Sequence, residues 1–325
     1  MFTKIRQNTK DFRYEYEFCC GVASNIEDQE KYTFEQMLTN VMFALAQSKE
    51  ASSENICFFD EEVHKKKEFE NFIESNMQQA LDSQCFEMVL QPKIDLQTNS
   101  VIAAEALVRW RLEDGTYLPP SSFVDIFEKN RFCSKLDFYM LKKAIQQIRK
   151  WIDMGMNPVN ISVNQSKIVF YHENYISELK SLLEEYNVSG SYITLEVLES
   201  TVIEDIDMFN SILTEVKKLG FSVSLDDFGS GYSSLNVLSK LQIDELKIDR
   251  IFLHTKSEVD NQRTKWILES IIDIAKKSQI LVVVEGVESK QDDLFIKNLG
   301  ADVGQGYFYG RPLSISAFND LIETK

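Results

Sequence analysis

Glu105, Asn160, Glu196, Asp226, Asp227, Lys247, Glu285 and Gln305 each stand at the end of a short apolar run in this chain of 325 residues. The runs are VIAAEALVRW, NPVNISVNQ, SYITLEVLES, FSVSLDDFGSGYSS, IDELKIDR, QILVVVEGVES and DVGQGYFYG. Acids gathered at strand ends have a desolvation cost unless something binds them. Carboxylates joined by an amide are the oxygen donors that hard cations such as Mg²⁺ or Mn²⁺ take. Taken singly, each residue has a plainer reading: Glu105 a solvated charge, Asp226-Asp227 a turn, Lys247 one half of an ion pair with Asp249. Repetition from run to run separates the cation cage from these.

The runs also indicate what carries them. SYITLEV, FSVSLDD and QILVVVEG are short, continuous and β-branched, as strands buried on both faces of a parallel sheet are. Helical periodicity lies between them. Leu136, Met140, Leu141, Ile145 and Ile148 make one stripe, and Phe209, Ile212, Leu213 and Val216 make another that stops at Gly220. A third stripe is Ile267, Ile271, Ile274 and Ala275. Strand and helix in alternation predict an α/β fold, a (β/α)8 TIM-like barrel, whose active site sits at the carboxyl ends of its strands.

Composition sets outer bounds. With 44% apolar residues the chain buries one large core and a small extra module. No run approaches the roughly 20 apolar residues of a membrane span, and MFTKIRQNTKDFRYEYEF has no signal-peptide core. Five cysteines without metal spacing read as reduced thiols, which together place the chain in the cytoplasm without membrane insertion. A formal charge of −16 argues against duplex nucleic acid, though not against a small phosphate ligand held through cations. His64, His172 and His254 fall outside every motif and read as surface residues.

From Phe86 onward these segments resemble the EAL family of cyclic di-GMP phosphodiesterases. Glu105-Ala106-Leu107 is the naming tripeptide, followed by Arg109-Trp110. LQPKID, NISVNQ, LEVLES, SLDDFGSGYSSL, LKIDR, VVEGVES and QGYFYGRP follow the family's order. The resemblance implies a barrel of EAL type and hydrolysis of cyclic di-GMP to linear pGpG with two divalent metals, Mg²⁺ or Mn²⁺. It implies Glu105, Asn160, Glu196 and Asp226 on the first ion, with Asp226 bridging to a second that Asp227 also holds. Two ions roughly 4 Å apart stabilise both the attacking and the leaving oxygen. Lys247 takes the position of the catalytic lysine, and a pKa depressed beside two cations would suit it to proton transfer. Glu285 takes the place of a second-metal or water-holding glutamate, Gln305 that of the amide that positions water. Glu199 is similar to the glutamate that braces the loop FGSGYSSL. Arg109 is the candidate for a substrate phosphate and Gln91 for the guanine or ribose. A homodimer is implied as well.

The chain departs from the family at Arg111-Leu112, where a His-Pro pair is usual, and at Phe127, where Ala is usual. Residues 1–60 loosely resemble part of a GGDEF domain, with FRYEYEFCCGVAS and NICFFD as strands and YTFEQMLTNVMFALAQSKE as a helix, but lack the signature. Residues 61–82 read as a linker helix with Phe69, Phe72, Ile73, Met77 and Leu81 on one side, and 83–325 as the barrel. The rival reading is a non-catalytic cyclic di-GMP receptor on the same fold. Such receptors commonly lack a metal ligand or the loop, and no such loss is evident here.

Overall fold

The computed structural model describes residues 4–8, 13–24, 32–50, 55–199, 206–229, 238, 240–253 and 258–323, with 4–8, 13–17 and 258–261 in backbone only. The chain divides into two compact units, Met1–Asn76 and Met77–Lys325. In the first, β1 (Lys4–Asn8) and β2 (Arg13–Glu17) form an antiparallel hairpin. β3 (Cys20–Val22) pairs in parallel with β4 (Ile56–Phe58), and helix Phe34–Glu50 makes the crossover that a parallel pair needs. The segment FRYEYEFCCGVAS is therefore two strands rather than one, because its halves pair with different partners. His64 is half-buried: its ring packs on those of Phe43 and Phe59, at 4.6 and 5.5 Å between centroids.

In the second unit, β5 (Phe86–Asp95) and β6 (Val101–Arg111) form a hairpin, and β7 (Tyr117–Leu118) adds to the far end of β6. Then follow β8 (Asn160–Gln165), β9 (Ile193–Leu198), β10 (Ser222–Phe228), β11 (Glu245–Ile248), β12 (Leu281–Val284) and β13 (Val303–Gln305). The sheet closes in the order β5, β6, β8, β9, β10, β11, β12, β13 and back to β5. Neighbours from β6 through β13 run parallel, whereas β5 runs against both β6 and β13. The cause is local. Asp95 accepts from the backbone N–H groups of Gln97 and Thr98, and Asn99 takes a left-handed φ of 55°. So short a turn can return the chain only antiparallel.

Two helical stripes face the sheet as their periodicity predicts. Leu136, Met140, Leu141, Ile145 and Ile148 are buried on helix Cys133–Asp153, and Phe209, Leu213 and Val216 on helix Ile206–Lys218. The third stripe is rotated. Helix Glu258–Lys277 buries Leu268, Ile271, Ile272 and Ala275, and leaves Ile267 and Ile274 on an apolar groove with Trp266, Phe228 and Phe252. In the long helix Glu61–Asp82, Ile73 is buried but Phe69 and Phe72 are exposed. Phe127, one departure from the family pattern, fills the core between Phe86, Trp110, Phe123 and Phe132. Arg111, the other, pairs with Glu87 at the surface at 2.6 Å.

Candidate active site

The barrel interior beneath its carboxyl end is polar. Barrels of this kind usually fill that space with Val, Ile and Leu. Here Lys93, Ser162, Thr194, Glu196, Ser224, Glu245 and Lys247 are buried together with Glu105, Asp226 and Gln305. Above them opens a cleft of about 410 Å³, lined by Gln91, Glu105, Asn164, Asp226, Asp227, Lys247, Glu285 and Gln305, with Arg250, Glu288 and Tyr307 at its wall. Parallel strands bring these residues to one end of the barrel, and β5, arriving from the other direction, places Gln91 opposite Glu105.

Lys247 is the hub. Its ammonium lies 2.7 Å from Glu285, 2.8 Å from Glu196, 3.0 Å from Asp226 and 3.4 Å from Glu105. Glu105 is held at both oxygens: Asn164 Nδ2 donates to Oε1 at 3.0 Å, and Gln305 Nε2 donates to Oε2 at 2.6 Å. Glu196 is likewise gripped twice, by Lys247 at Oε2 and by Lys93 at Oε1, each at 2.8 Å. Successive strand residues point to opposite faces. Asp226 and Asp227 both line the cleft because the β10 ladder slips between Leu225 and Phe228 and Asp227 takes φ 57°, rare for a residue other than glycine.

Charge sets the protonation of the site. Burial pushes Asp226 well above the carboxylate range, and Glu285, Glu196 and Glu105 add to the shift against the pull of Lys247. Burial likewise lifts Glu285 to about 7, and Asp227 shifts upward for the same reason. Burial alone would raise Glu196 too, but the ammonium groups of Lys247 and Lys93 outweigh it and hold it at about 2. With no cation beside it, Lys247 is shifted upward rather than downward. Although burial acts downward, its four carboxylates hold it well above the ordinary lysine value.

These side chains suit divalent cations. Asp226, Asp227 and Glu285 each offer an oxygen, all within 4.8 Å of one another. Glu105, Glu196 and Asn164 add oxygens beside them. A single ammonium in contact with four of these acids leaves a negative excess that burial makes costly. Gln305 Oε1 is buried without a hydrogen-bond partner, an acceptor in want of a donor.

One expected ligand is corrected. Asn160 opens β8 at the far end of the strand, where its Oδ1 accepts from Thr194 and its Nδ2 donates to the carbonyl of Ser191. Asn164, four residues further on, pairs in register with Glu196 and reaches the cleft. The run NPVNISVNQ contains both asparagines, and only the direction of the strand tells them apart. Glu199 follows β9 and is buried, while most of the loop it was expected to brace lies outside the described residues. Arg109 donates to the carbonyl of Val108 and lies near Tyr307 and Glu105, two residues that line the cleft. Gln91 lines the cleft and donates to the carbonyl of Gly310. Sequence reasoning also passed over Lys93 and Glu245. Their signal was positional: each lies two residues from a named site residue, Gln91 and Lys247, and so on the same face.

Comparison with known proteins places the chain in a family. Residues 74–312 match the EAL domain family. The cyclic di-GMP phosphodiesterase NbdA of Pseudomonas aeruginosa is 33% identical over 288 residues, which are 89% of this chain and 36% of that protein. The cyclic di-GMP phosphodiesterase PdeR of Escherichia coli is 28% identical over 92% of this chain and 45% of its own length. The chain thus spans less than half the length of these curated relatives. Among solved structures, that of the PaMucR phosphodiesterase in complex with c-di-GMP superposes with a TM-score of 0.70 at 32% identity, covering 76% of this chain and 99% of that one. With its family match spanning the barrel and its acids gathered at the barrel's carboxyl end, the chain belongs to the EAL domain family.

Proposed function

We propose that this chain hydrolyses one phosphodiester of cyclic di-GMP to linear pGpG with two divalent ions, Mg²⁺ or Mn²⁺. The observation that carries the reading is the complete set of acids around Lys247 in a cleft large enough for part of a dinucleotide. Asp226, Asp227 and Glu285, with Glu105, Glu196 and Asn164 beside them, are the residues that would hold the ions. When bound, such ions supply a Lewis acid and lower the pKa of water. Lys247, whose three donors face Glu285, Glu196 and Asp226, keeps these acids in place and balances by its charge the negative charge that develops on the phosphate. Gln305 Oε1 accepts from the attacking water and orients it. Arg250, on the cleft wall, offers a forked donor to a phosphate oxygen. Water adds at phosphorus, the bond to one ribose 3′-oxygen breaks, and that oxygen leaves with a proton.

The finer readings belong to the same proposal. Residues 1–60 are taken as a partial GGDEF-like segment, the barrel as a homodimer and the cytoplasm as its compartment. Five free thiols support a reducing environment, and no helix among the described residues is long and apolar enough to cross a membrane. The non-catalytic receptor is less favoured, since Asn164 completes the ligand set that Asn160 leaves open. The deciding test is turnover of cyclic di-GMP by the purified chain with Mg²⁺ or Mn²⁺, followed by chromatography with Glu105→Ala alongside. Appearance of pGpG, abolished by the substitution, is the expected result; tight nucleotide binding without product would place the chain among receptors.

A further inference from the structure

Under the floor of the cleft lies a second ammonium that the reaction does not need to touch. Lys93 Nζ is 2.8 Å from Glu196 Oε1, 2.8 Å from Glu245 Oε1 and 2.7 Å from Ser162 Oγ, in a place closed to solvent. An ammonium has three donors, so all of its hydrogen-bonding capacity is used and its position is fixed. Lys93 is on β5, Ser162 on β8, Glu196 on β9 and Glu245 on β11. The contact spans the lumen and does not follow one strand.

Two features make this more than a buried ion pair. Glu196 has both oxygens taken by ammonium groups, one from the cleft side and one from below, so its plane cannot turn. Glu245 gives Lys93 a carboxylate of its own. The Lys93–Glu245 pair is thereby neutral as a unit, a rigid donor that does not cancel the charge Glu196 brings to the site. A pair of charges this deep is seldom worth its desolvation for stability alone; well-packed apolar residues do as well or better. Partners behind a metal-ligating carboxylate, by contrast, commonly govern its orientation.

We infer that the Lys93–Glu245 pair is a positioning device, fixing the orientation of Glu196 and thereby the affinity of the site for its divalent ions. The inference rests on the metal-dependent reading above. It predicts that loss of the pair acts on metal binding first and on nucleotide recognition little, because neither residue lines the cleft.

The test is Mn²⁺ binding to the full chain, read as free Mn²⁺ by electron paramagnetic resonance, for wild type, K93M/E245L and E245Q. The double variant replaces the pair by apolar side chains of similar length. It is expected to keep the wild-type circular dichroism, to bind Mn²⁺ about 10- to 100-fold more weakly and to need correspondingly more metal for half-maximal turnover at unchanged KM. E245Q keeps a hydrogen-bond acceptor for Lys93 but leaves the ammonium uncompensated beside Glu196; weaker Mn²⁺ binding is expected there too, and this variant decides alone if the double one does not fold. Mn²⁺ affinity within twofold of wild type in the folded variant, whatever its thermal midpoint, would assign the pair to stability alone and overturn the inference. Absence of Mn²⁺ binding by the wild-type chain is a different result, which overturns the metal reading itself.

Discussion

At the scale of single residues, the two asparagines of β8 are the sharpest test of the site. Asn164 holds Glu105 and faces the cleft, whereas Asn160 links β8 to Ser191 and Thr194 at the other end. Asn164→Ala is expected to reduce turnover about 10- to 100-fold through lost metal affinity. Asn160→Ala is expected to leave turnover within a few-fold while costing about 1 kcal/mol of stability. Steady-state kinetics and thermal denaturation of both variants measure the contrast, and a reversed order would return Asn160 to the site. Asp137 permits a second test away from the proposed ligands. It accepts from the backbone N–H and hydroxyl of Ser166, and burial lifts its carboxyl from the usual range to about 7. A carboxyl whose folded pKa is raised binds its proton more tightly when folded. Its contribution to stability is present below the unfolded pKa, near 4, and is lost as pH rises through about 7. Asp137→Asn should therefore be more stable than wild type at pH 8, and the advantage should shrink as pH falls and vanish by about pH 4. Melting curves at the two pH values check this; a gap that does not change with pH would mean the carboxyl titrates normally.

At the scale of elements, the loops after the strands do the shaping. The turn that follows β12 runs from Glu285 through Gly286, whose φ of 68° is left-handed and whose missing side chain makes room for Arg250. A Cβ there would come within 2.2 Å of Arg250 Cβ. Gly286→Ala is expected to displace both Glu285 and Arg250, lowering turnover at least tenfold and stability by about 1–3 kcal/mol. Wild-type kinetics in the folded variant would show that the turn has slack which these distances do not suggest. The bulge in β10 plays a similar part for Asp227, turning a residue toward the cleft that an unbroken strand would aim away.

At the scale of the whole molecule, the barrel holds an interior that its own charges leave unbalanced. Glu285 has its pKa raised to about 7 by burial, so in the absence of cations its contribution to stability is lost as pH rises from about 4.5 through about 7. Divalent ions that bind the folded state reverse this, by about 2.7 kcal/mol at a hundredfold excess over Kd. The expected outcome is a melting temperature at pH 8 that falls in EDTA and rises with Mg²⁺ or Mn²⁺ in a concentration-dependent way, an effect that Asp226→Asn should largely remove. A melting temperature indifferent to metal at pH 8 would contradict the cation-holding role of these acids.

The barrel and the gathering of Glu105, Glu196, Asp226, Asp227, Lys247, Glu285 and Gln305 toward one of its ends were legible in the sequence alone. Each is announced by a local signal, a β-branched apolar run ending in one polar group, and strand polarity carries that group to a known end of a parallel barrel. Which asparagine belongs to the site was not legible, because a period of two puts Asn160 and Asn164 on the same face and only the start of β8 separates them. The reversal of β5 follows from the short turn at Asp95–Asn99, whose polar residues sit between two apolar runs, whereas the rotation of helix Glu258–Lys277 depends on packing partners that no short segment contains. The Lys93–Glu245 contact was out of reach for the same reason. Its two charges are separated by 152 positions along the chain and meet only because a closed barrel folds opposite strands around one lumen.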